Sequence, residues 1–453
     1  MNVIRKNTTL FCGLFYRLRK RDIFALQREF AARQWWDGDK INAEGDRLVR
    51  KLASHAAATT EYYGQLFRDL HLDPANMQLP ADWERLPLLD KDILRRRYRD
   101  IISSSPHGSN SYVNHTGGST GSPVRFLTDL TLYRYMQAWM DLTYSWAGWR
   151  PGEIRLNLWG GKECNLPPTL WDRARATLAG GFTIPVYEYT EQELRCWWEV
   201  ICRLQPTIIY GYPSVLEDFS RWLDAEAISP VGIKGVFSSA EVLYPRQRRI
   251  IEQVFDCKVY NQYGSREAPC IASECPEGGM HIFCDLNRVE FLAPDGDPNG
   301  DQEIIVTPLH GYAQPLLRYR LGDMGRPRAG ACRCGRGYPL MDLNVARSRD
   351  FLISQSGSKI YPGFFTRLMD GCNWVHSFQF VQNGLAQLEL NLEVMDTHEL
   401  EGRRQRLRAE ILPEIESRIG TLDEFQINIV PQINRTRAGK HRFVVNAMNQ
   451  ETR

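Results

Sequence analysis

Between residues 156 and 263 the sequence alternates short apolar runs with longer segments of helical periodicity. The runs that predict buried strands are 156–159, 208–210, 235–237 and 258–260, and the segments that predict helices are 191–204, 214–226 and 245–255. Strands and helices that alternate in this way predict a largely parallel sheet covered by helices. Because 453 residues exceed what one hydrophobic core holds, we expect two or more domains.

Polar or glycine-rich corners follow the predicted strands. They are Gly160-Gly161, Gly211–Ser214, Ser238–Glu241 and Gln262–Glu267. Parallel sheets bind ligands beyond the carboxyl ends of their strands, so these corners predict the rim of one site. Side chains expected on this rim are Tyr135, Trp159, Tyr210, Tyr212, Phe237, Ser238 and Tyr263. Their aromatic character favours a flat ligand, although core packing would explain most of the same rings.

A stretch of small and hydroxyl residues runs from His115 to Pro123 and reads HTGGSTGSP. Small side chains let backbone N–H groups approach a ligand closely, which suits phosphate binding. The run 124–128 that follows predicts a strand, and the stretch contains no lysine, so it is not a Walker loop. The alternative interpretation is a flexible surface linker.

The remaining sequence predicts helices near the N-terminus, and its charge and hydropathy exclude several classes of protein. Helical periodicity between residues 23 and 80 predicts an N-terminal helical segment, and Asp90 is the expected N-cap of a further helix. With 56 basic and 54 acidic residues, the charge gives no indication of nucleic-acid binding. No apolar run is long enough to span a membrane and we find no signal peptide, so we expect a cytoplasmic protein.

Eleven cysteines in such a chain indicate reduced thiols or a metal site. Cys275, His281, Cys332 and Cys334 supply the thiols and the imidazole that a tetrahedral structural zinc site uses. Cys270 and Cys284 are alternative ligands for one position. The competing interpretation is ordinary reduced thiols.

Five motifs occur in a recognisable order. They are the 115–123 stretch, Tyr263–Glu267, Arg318–Asp323, Arg347 shortly before Asp350, and Thr436–Lys440. In order and approximate spacing they resemble the adenylate-forming enzymes, and most of all the phenylacetate–CoA ligase family with its capsule-biosynthesis relatives. The resemblance extends from about Ile23 to Val445.

The resemblance implies an α/β fold in two domains. A large N-terminal domain with mixed sheets flanked by helices would cover residues 1–347, a hinge 348–350, and a small mobile α+β lid 351–453. Residues 375–450 agree with this lid, because their pattern predicts strand, strand, helix (399–418) and strand. The hinge departs from the superfamily, since Arg349 stands where an acidic residue is common and Asp350 comes next.

The resemblance also implies a reaction and a set of site residues. The enzyme would activate a carboxylic acid with ATP and Mg²⁺, release pyrophosphate, and transfer the acyl group to CoA with release of AMP. Glu267 would hold Mg²⁺, Lys440 would act in the first half-reaction, Asp323 would bind the ribose, and Arg347 would lie beside it. The other implied ATP or AMP contacts are Ser119, Thr120, Gly121, Ser239, Ala240, Glu241, Gln262, Tyr263, Gly264 and Ser265. By the same resemblance, relatives with similar cysteines look like zinc binders, which favours the zinc interpretation.

Alternatives stay open at this point. In the first alternative, the enzyme transfers the acyl group to an amine, a sugar or another non-CoA acceptor. In the second, the chain is a non-catalytic nucleotide-binding scaffold. For Lys440 the competing interpretation is a solvated basic tail, because Arg435, Arg437, His441 and Arg442 surround it. A homodimer is compatible with the sequence but not indicated by it.

Overall fold

The computed structural model describes residues 21–115, 124–160, 176, 180–186, 189–293, 302–347, 352–357, 359–360, 364–365, 368–369, 372, 374–395, 399–433 and 442–448. The chain divides into two compact units. The first comprises Met1–Leu321 and Arg326–Asp342, and the second comprises Gly322–Gly325 and Leu343–Arg453. Among the described residues, no helix combines the length and the apolar character that crossing a membrane requires.

Helices dominate the described residues before the first strand. They are α1 (Arg21–Arg33), α2 (Gly38–Thr59), α3 (Glu61–Asp69), α4 (Ala81–Glu84), α5 (Lys91–Arg96) and α6 (Pro106–Ser109). Side-chain oxygens fix several starts: Asp37 caps α2, Thr60 caps α3, and Asp90 caps α5 as the sequence predicts. Each oxygen accepts a backbone N–H that the helix itself leaves unpaired, so a short polar side chain sets where the helix begins.

A hairpin and a large sheet follow. The hairpin consists of β1 (Ser111–His115) and β2 (Arg125–Asp129), and α7 (Leu130–Trp146) begins directly after it. The sheet strands are β3 (Arg155–Leu158), β4 (Gly181–Ile184), β5 (Ile208–Gly211), β6 (Gly235–Ser239), β7 (Val259–Tyr263), β8 (Ala272–Glu274), β9 (Met280–Ile282), β10 (Asn287–Leu292), β11 (Gln302–Pro308), β12 (Tyr319–Arg328) and β13 (Leu340–Arg347). Helices between the parallel strands are α8 (Glu191–Leu204), α9 (Pro213–Ala225) and α10 (Pro245–Phe255).

The sheet is mixed, with the strand order β10-β11-β12-β13-β9-β8-β7-β6-β5-β3-β4. Strands β4, β3, β5, β6 and β7 are parallel neighbours, whereas β8 and β9 continue the sheet in antiparallel fashion. The α/β prediction with a mixed sheet flanked by helices is therefore confirmed. Four predicted strands coincide with or overlap β3, β5, β6 and β7, and the helices α8 and α10 have the predicted bounds. Strand β4 was not predicted.

The core of the parallel region is apolar on both faces of the sheet. Ile209 on β5 and Val236 on β6 have no exposed surface, and Trp197, Phe219 and Phe255 from the three helices pack against the same cluster. Helices cover a parallel sheet on both sides, so its strands consist of continuous apolar runs rather than alternating ones. This explains why short runs such as 208–210 are recognisable in the sequence.

The second unit has a small sheet of its own. Its elements are β14 (Leu352–Ile353), β15 (Lys359–Ile360), β16 (Val375–Gly384), β17 (Gln387–Val394), α11 (Leu400–Ile419), β18 (Glu424–Ile429) and β19 (Val444–Asn446). The sheet order is β18-β17-β16-β19. Every second residue of β17 is buried, and α11 buries Leu407, Ile411, Ile415 and Ile419 at a spacing of one turn. The predicted strand, strand, helix and strand are confirmed, with β19 in addition.

Candidate active site

A tight loop follows β7 and carries the Tyr263–Glu267 motif. The backbone N–H of Ser265 donates to the Ala268 carbonyl at 2.9 Å, and the Ala268 N–H donates to the Ser265 hydroxyl at 3.0 Å. Gly264 has no room for a side chain, because a Cβ there would lie 2.7 Å from the backbone nitrogen of Cys270. The motif thus needs glycine and serine at these positions to turn the chain back toward the sheet.

Glu267 lies at the end of this loop and is almost completely buried. The hydroxyl of Tyr319 donates to its Oε1 at 3.2 Å. Burial raises the pKa of Tyr319 well above its usual range, and the neighbouring carboxylate raises it further, so the phenol keeps its proton and acts as a donor. Within the described part of the chain, no donor reaches Oε2. A buried carboxylate with one oxygen held and the other available suits a hard divalent cation.

Arg266 connects the same loop to the β1–β2 hairpin. Its guanidinium donates to the carbonyl of His115 at 3.2 Å. His115 is the last residue of β1, so the point where the predicted phosphate-binding stretch begins lies beside the Tyr263–Glu267 motif. Ser119, Thr120 and Gly121 themselves lie outside the described residues.

Arg318 opens the third motif and is buried. Its backbone lies in the left-handed region, with φ of 50°. Its guanidinium pairs with Glu290 at 2.9 Å and donates to the carbonyls of Glu84 and Leu86 at 2.7 and 2.6 Å. Arg318 therefore ties the strand that carries Tyr319 to the N-terminal helical segment, which is a structural role.

Other predicted ATP and hinge residues are described in part or not at all. Asp323 lies half-buried on β12, and Arg347 is the last residue of β13. The side chain of Arg347 lies outside the described residues, as do Arg349, Asp350 and Lys440. The roles inferred for these residues stay predictions.

The corner after β6 holds a strained residue. Ala240 has a φ of 71°, a conformation that costs a residue with a side chain about 1–3 kcal/mol. The next residue, Glu241, accepts the backbone N–H of Ser214 at 3.1 Å, near the start of α9. Ser239, the last residue of β6, is buried. This corner therefore connects the carboxyl end of β6 to the first turn of α9.

Aromatic rings gather at the ends of β3 and β5. The indole of Trp159 stacks on Tyr210, with ring centroids 5.0 Å apart, and on Tyr212, with centroids 4.2 Å apart. Because β3 and β5 are parallel neighbours, their carboxyl ends meet at one edge of the sheet. The structure thus brings together three of the rings that the sequence placed on the rim.

Two other rings of that predicted set are used in packing. Phe237 has no exposed surface and lies 4.8 Å, centroid to centroid, from both Tyr144 and Tyr260. Tyr135 stacks on His310 with centroids 3.5 Å apart. Phe237 offers no surface to a ligand, because β6 directs it into the core.

The polar side chains next to these rings are also buried. Ser238 has no exposed surface and lies 3.5 Å from the Oδ1 of Asn261, and the Gln262 amide donates to the hydroxyl of Thr143 at 2.9 Å. Tyr263, which ends β7, is buried as well. These residues stabilise the strand ends from within.

Comparisons with known proteins agree with this arrangement. A family model described as AMP-binding enzyme matches residues 69–287, and a model of the CapK C-terminal domain matches residues 352–447. The chain belongs to the adenylate-forming enzymes. The resemblance to the phenylacetate–CoA ligase family with its capsule-type relatives is confirmed.

Individual relatives of this adenylate-forming enzyme span nearly its whole length. Protein CapK of Staphylococcus aureus is 26% identical over 400 residues, which cover 85% of each chain. A phenylacetate-coenzyme A ligase of Thermus thermophilus is 25% identical over 441 residues, covering 90% of this chain and 96% of that protein. A crystal structure of 2-hydroxyisobutyryl-CoA ligase with 2-HIB-AMP has the same fold, with a TM-score of 0.72, 19% identity, and coverage of 92% and 93% of the two chains.

The adenylate-forming enzyme has a second constellation away from these motifs. Potential ligand atoms of Cys275, His281, Cys332 and Cys334 all lie within 4.8 Å of one another. The Sγ atoms of Cys275 and Cys332 are 3.6 Å apart, and Cys334 Sγ lies 3.2 Å from His281 Nε2. The predicted ligand set is thus brought together, although the two cysteine loops are far apart in the sequence.

His281 is positioned as a ligand would be. Its Nδ1 lies 3.0 Å from the Tyr338 carbonyl and donates to it, so the lone pair of Nε2 faces the cysteines. The ring has no exposed surface, and burial lowers its pKa to about 4. A neutral imidazole oriented by a carbonyl, with three thiols around its free nitrogen, has the composition of a structural zinc site.

One residue that contacts the candidate site was not predicted from the sequence. Tyr319 stands in the Arg318–Asp323 motif, but no role was predicted for it. Its only sequence signal is its place between two arginines of that motif. The contact with Glu267 joins residues that lie 52 positions apart, so no local pattern reveals it.

Proposed function

We propose that this enzyme activates a carboxylic acid as an acyl-adenylate and then transfers the acyl group to CoA. In the first step a carboxylate oxygen attacks the α-phosphorus of ATP and the bond to pyrophosphate breaks. In the second, the CoA thiolate attacks the acyl carbonyl and AMP leaves. The observation that carries this proposal is the Glu267–Tyr319 pair beside the end of β1, which groups the motifs expected to hold ATP.

The residues of this chain have distinct parts in that reaction. Glu267 would hold Mg²⁺, and the bound cation would supply positive charge to the phosphates. Ser119, Thr120 and Gly121 bind the β- and γ-phosphates, and Asp323 binds the ribose. Lys440 is a flexible point charge that neutralises the carboxylate and the α-phosphate as they meet. Most of the catalysis is therefore positioning and charge stabilisation.

We infer that the acid is aromatic or otherwise flat. The stacked rings of Trp159 and Tyr210, which are only partly buried, support this inference, because aromatic walls bind flat apolar groups. The acceptor is inferred from a relative that is named a phenylacetate-coenzyme A ligase. The name of the other relative, protein CapK, states no acceptor. The alternative is transfer to an amine, a sugar or another acceptor. We propose that the enzyme is cytoplasmic, because its reaction consumes ATP and CoA.

The proposal is tested by acid-dependent release of pyrophosphate. Aryl, arylacetic, hydroxy and amino acids are supplied with ATP and Mg²⁺, with and without CoA. We expect release with one class of acid, and faster AMP formation when CoA is present. Release that CoA does not change would favour another acceptor. No release with any acid of the panel would contradict the proposal.

Tyr319→Phe tests how Glu267 is oriented. The change removes the hydroxyl donor and leaves the ring, so the carboxylate loses its fixed orientation. We expect the Mg²⁺ concentration for half-maximal pyrophosphate release to rise about tenfold, as for other residues that orient metal ligands. Glu267→Gln, which removes the carboxylate itself, should raise it further.

Tyr338→Phe is the matched control for this prediction. Tyr338 is also a buried tyrosine that donates to a buried carboxylate, that of Asp285, at 2.9 Å. Its loss should leave the Mg²⁺ dependence unchanged. An unchanged Mg²⁺ dependence in both Tyr319→Phe and Glu267→Gln would show that Glu267 is not a Mg²⁺ ligand.

We also propose that Cys275, His281, Cys332 and Cys334 bind one structural zinc ion. Four protein ligands leave no open position, so the ion stabilises the fold and takes no part in the reaction. We expect elemental analysis to find about one zinc per chain and a chelator to lower the melting temperature. Cys332→Ser with Cys334→Ser should remove the metal, whereas Cys196→Ser with Cys202→Ser should not. Zinc retained by the first double variant would refute the site.

A further inference from the structure

Asp129 is a buried carboxylate at a junction of three segments. It is the last residue of β2, and α7 begins directly after it. Its Oδ1 accepts the Leu132 N–H at 2.8 Å, while Oδ2 accepts the N–H groups of Tyr312 and Ala313 at 2.6 and 2.9 Å. The side chain is nearly inaccessible. Three backbone donors thus satisfy a charge that water cannot reach.

A second contact joins the same two segments. The backbone N–H of Leu127, also on β2, donates to the side-chain oxygen of Gln314 at 2.8 Å. The amide nitrogen of Gln314 in turn donates to the carbonyl of Tyr98 at 3.1 Å. Residues 312–314 therefore hold β2 at two points, through a carboxylate and through a carboxamide.

Both segments lead to the candidate active site. Strand β2 pairs with β1 along its whole length, from Ser111 opposite Asp129 to His115 opposite Arg125. Asp129 is thus at the base of the hairpin, and the His115 carbonyl at its far end accepts Arg266. Residues 312–314 continue within a few positions to Tyr319, which donates to Glu267.

The length of the hairpin amplifies small movements of its base. Five residues of a strand span about 14 Å at about 3.4 Å per step, so a rotation of about 5° at the base moves the far end by about 1 Å. A displacement of this size near the reacting groups is enough to slow catalysis by about a hundredfold. The fixed base is therefore relevant to catalysis even though Asp129 forms its hydrogen bonds with Leu132, Tyr312 and Ala313, none of which is a predicted ATP-binding residue.

We propose that Asp129 is a positioning residue for adenylation. Its carboxylate fixes the base of the β1–β2 hairpin to the segment that leads to Tyr319, and so sets the end of β1 against Glu267. The catalytic part of this inference rests on the proposed function. Its structural part, the coupling of the hairpin to residues 312–314, does not.

The test uses Asp129→Asn in the full-length protein. Asparagine has the same shape as aspartate, but one carboxylate oxygen is replaced by an NH₂ group. That NH₂ group cannot accept the backbone N–H groups that the oxygen accepted. We expect faster hydrogen exchange at the amides of β1, β2, Tyr312 and Ala313, and an ATP dissociation constant raised about tenfold. Asp37→Asn removes the charge of a helix cap elsewhere, at the start of α2, and should change neither quantity.

Gln314→Met keeps the experiment decisive if Asp129→Asn does not fold. It removes the second contact without disturbing a charge, and should loosen the hairpin in the same direction and to a smaller extent. Hydrogen exchange and ATP affinity are both measured without turnover of the acid. They therefore test this inference even if the acid or the acceptor in the proposed function is wrong. Unchanged exchange in β1 and β2 would overturn the coupling, and a loosened hairpin with unchanged ATP affinity would overturn the positioning role.

Discussion

Lys440→Ala is expected to lower acid-dependent pyrophosphate exchange by about 10²–10³-fold, the effect of removing one charge-stabilising group from a reacting centre. An ammonium group at this position would neutralise both the carboxylate and the α-phosphate while the new bond forms. It would contribute less to the ground state, so the affinity for ATP should be nearly retained. The measurement is exchange of labelled pyrophosphate into ATP with the acid that the screen identifies, together with ATP binding by calorimetry.

Arg435→Ala is the control, because it removes a cation from the same basic stretch but lies outside the Thr436–Lys440 motif. Its exchange rate should stay close to that of the wild type. Lys440→Arg should not restore the rate, since a planar guanidinium does not replace a compact ammonium. Exchange that survives in Lys440→Ala would identify Lys440 as part of a solvated basic tail.

Arg318→Met should give the largest loss of stability. It removes one partner of a buried ion pair and leaves Glu290 as an uncompensated charge, while the carbonyls of Glu84 and Leu86 lose their donor. Breaking a buried pair in this way costs about 3–5 kcal/mol of unfolding free energy. Thermal and denaturant unfolding of the purified variant would measure the loss.

The neighbouring motif arginine supplies a matched control. Arg320 pairs with Glu303, but its side chain is about half exposed, so Arg320→Met should cost only about 0–1 kcal/mol. Adding Glu290→Gln to Arg318→Met should restore part of the stability, because the unpaired charge is removed while the amide oxygen still accepts the Trp83 indole N–H. Equal losses for the two arginine variants would show that burial does not set the cost.

Much of the architecture was predictable from local patterns. The strands β3, β5, β6 and β7 are short apolar runs, and helices α8 to α10 have clear periodicity, so alternation alone indicated a parallel sheet. The four potential zinc ligands were also identified, from residue type and from the resemblance, although their spacing is not that of a standard zinc finger. In each case the signal is local, either a period along the chain or the number of thiols and imidazoles in two short loops.

The direction of a side chain was not predictable in the same way. Phe237 and Tyr210 both lie on parallel strands near the corners that the sequence marked, yet Phe237 is in the core and Tyr210 stacks on Trp159. The surroundings of a side chain on a strand depend on which helices pack against that face of the sheet. Those helices come from other parts of the chain. Aromatic residue type therefore could not separate packing from ligand binding.

The sequence by itself determined the fold class and the order of the motifs, because periodicity and residue type are properties of short segments. Only the tertiary structure decided that Tyr319 donates to Glu267, that Arg318 is buried against Glu290, and that Asp129 joins β2 to Tyr312 and Ala313. These contacts connect positions 28 to 184 residues apart. Such pairs are fixed by the way the sheet and helices pack, and nothing in either segment alone specifies its partner.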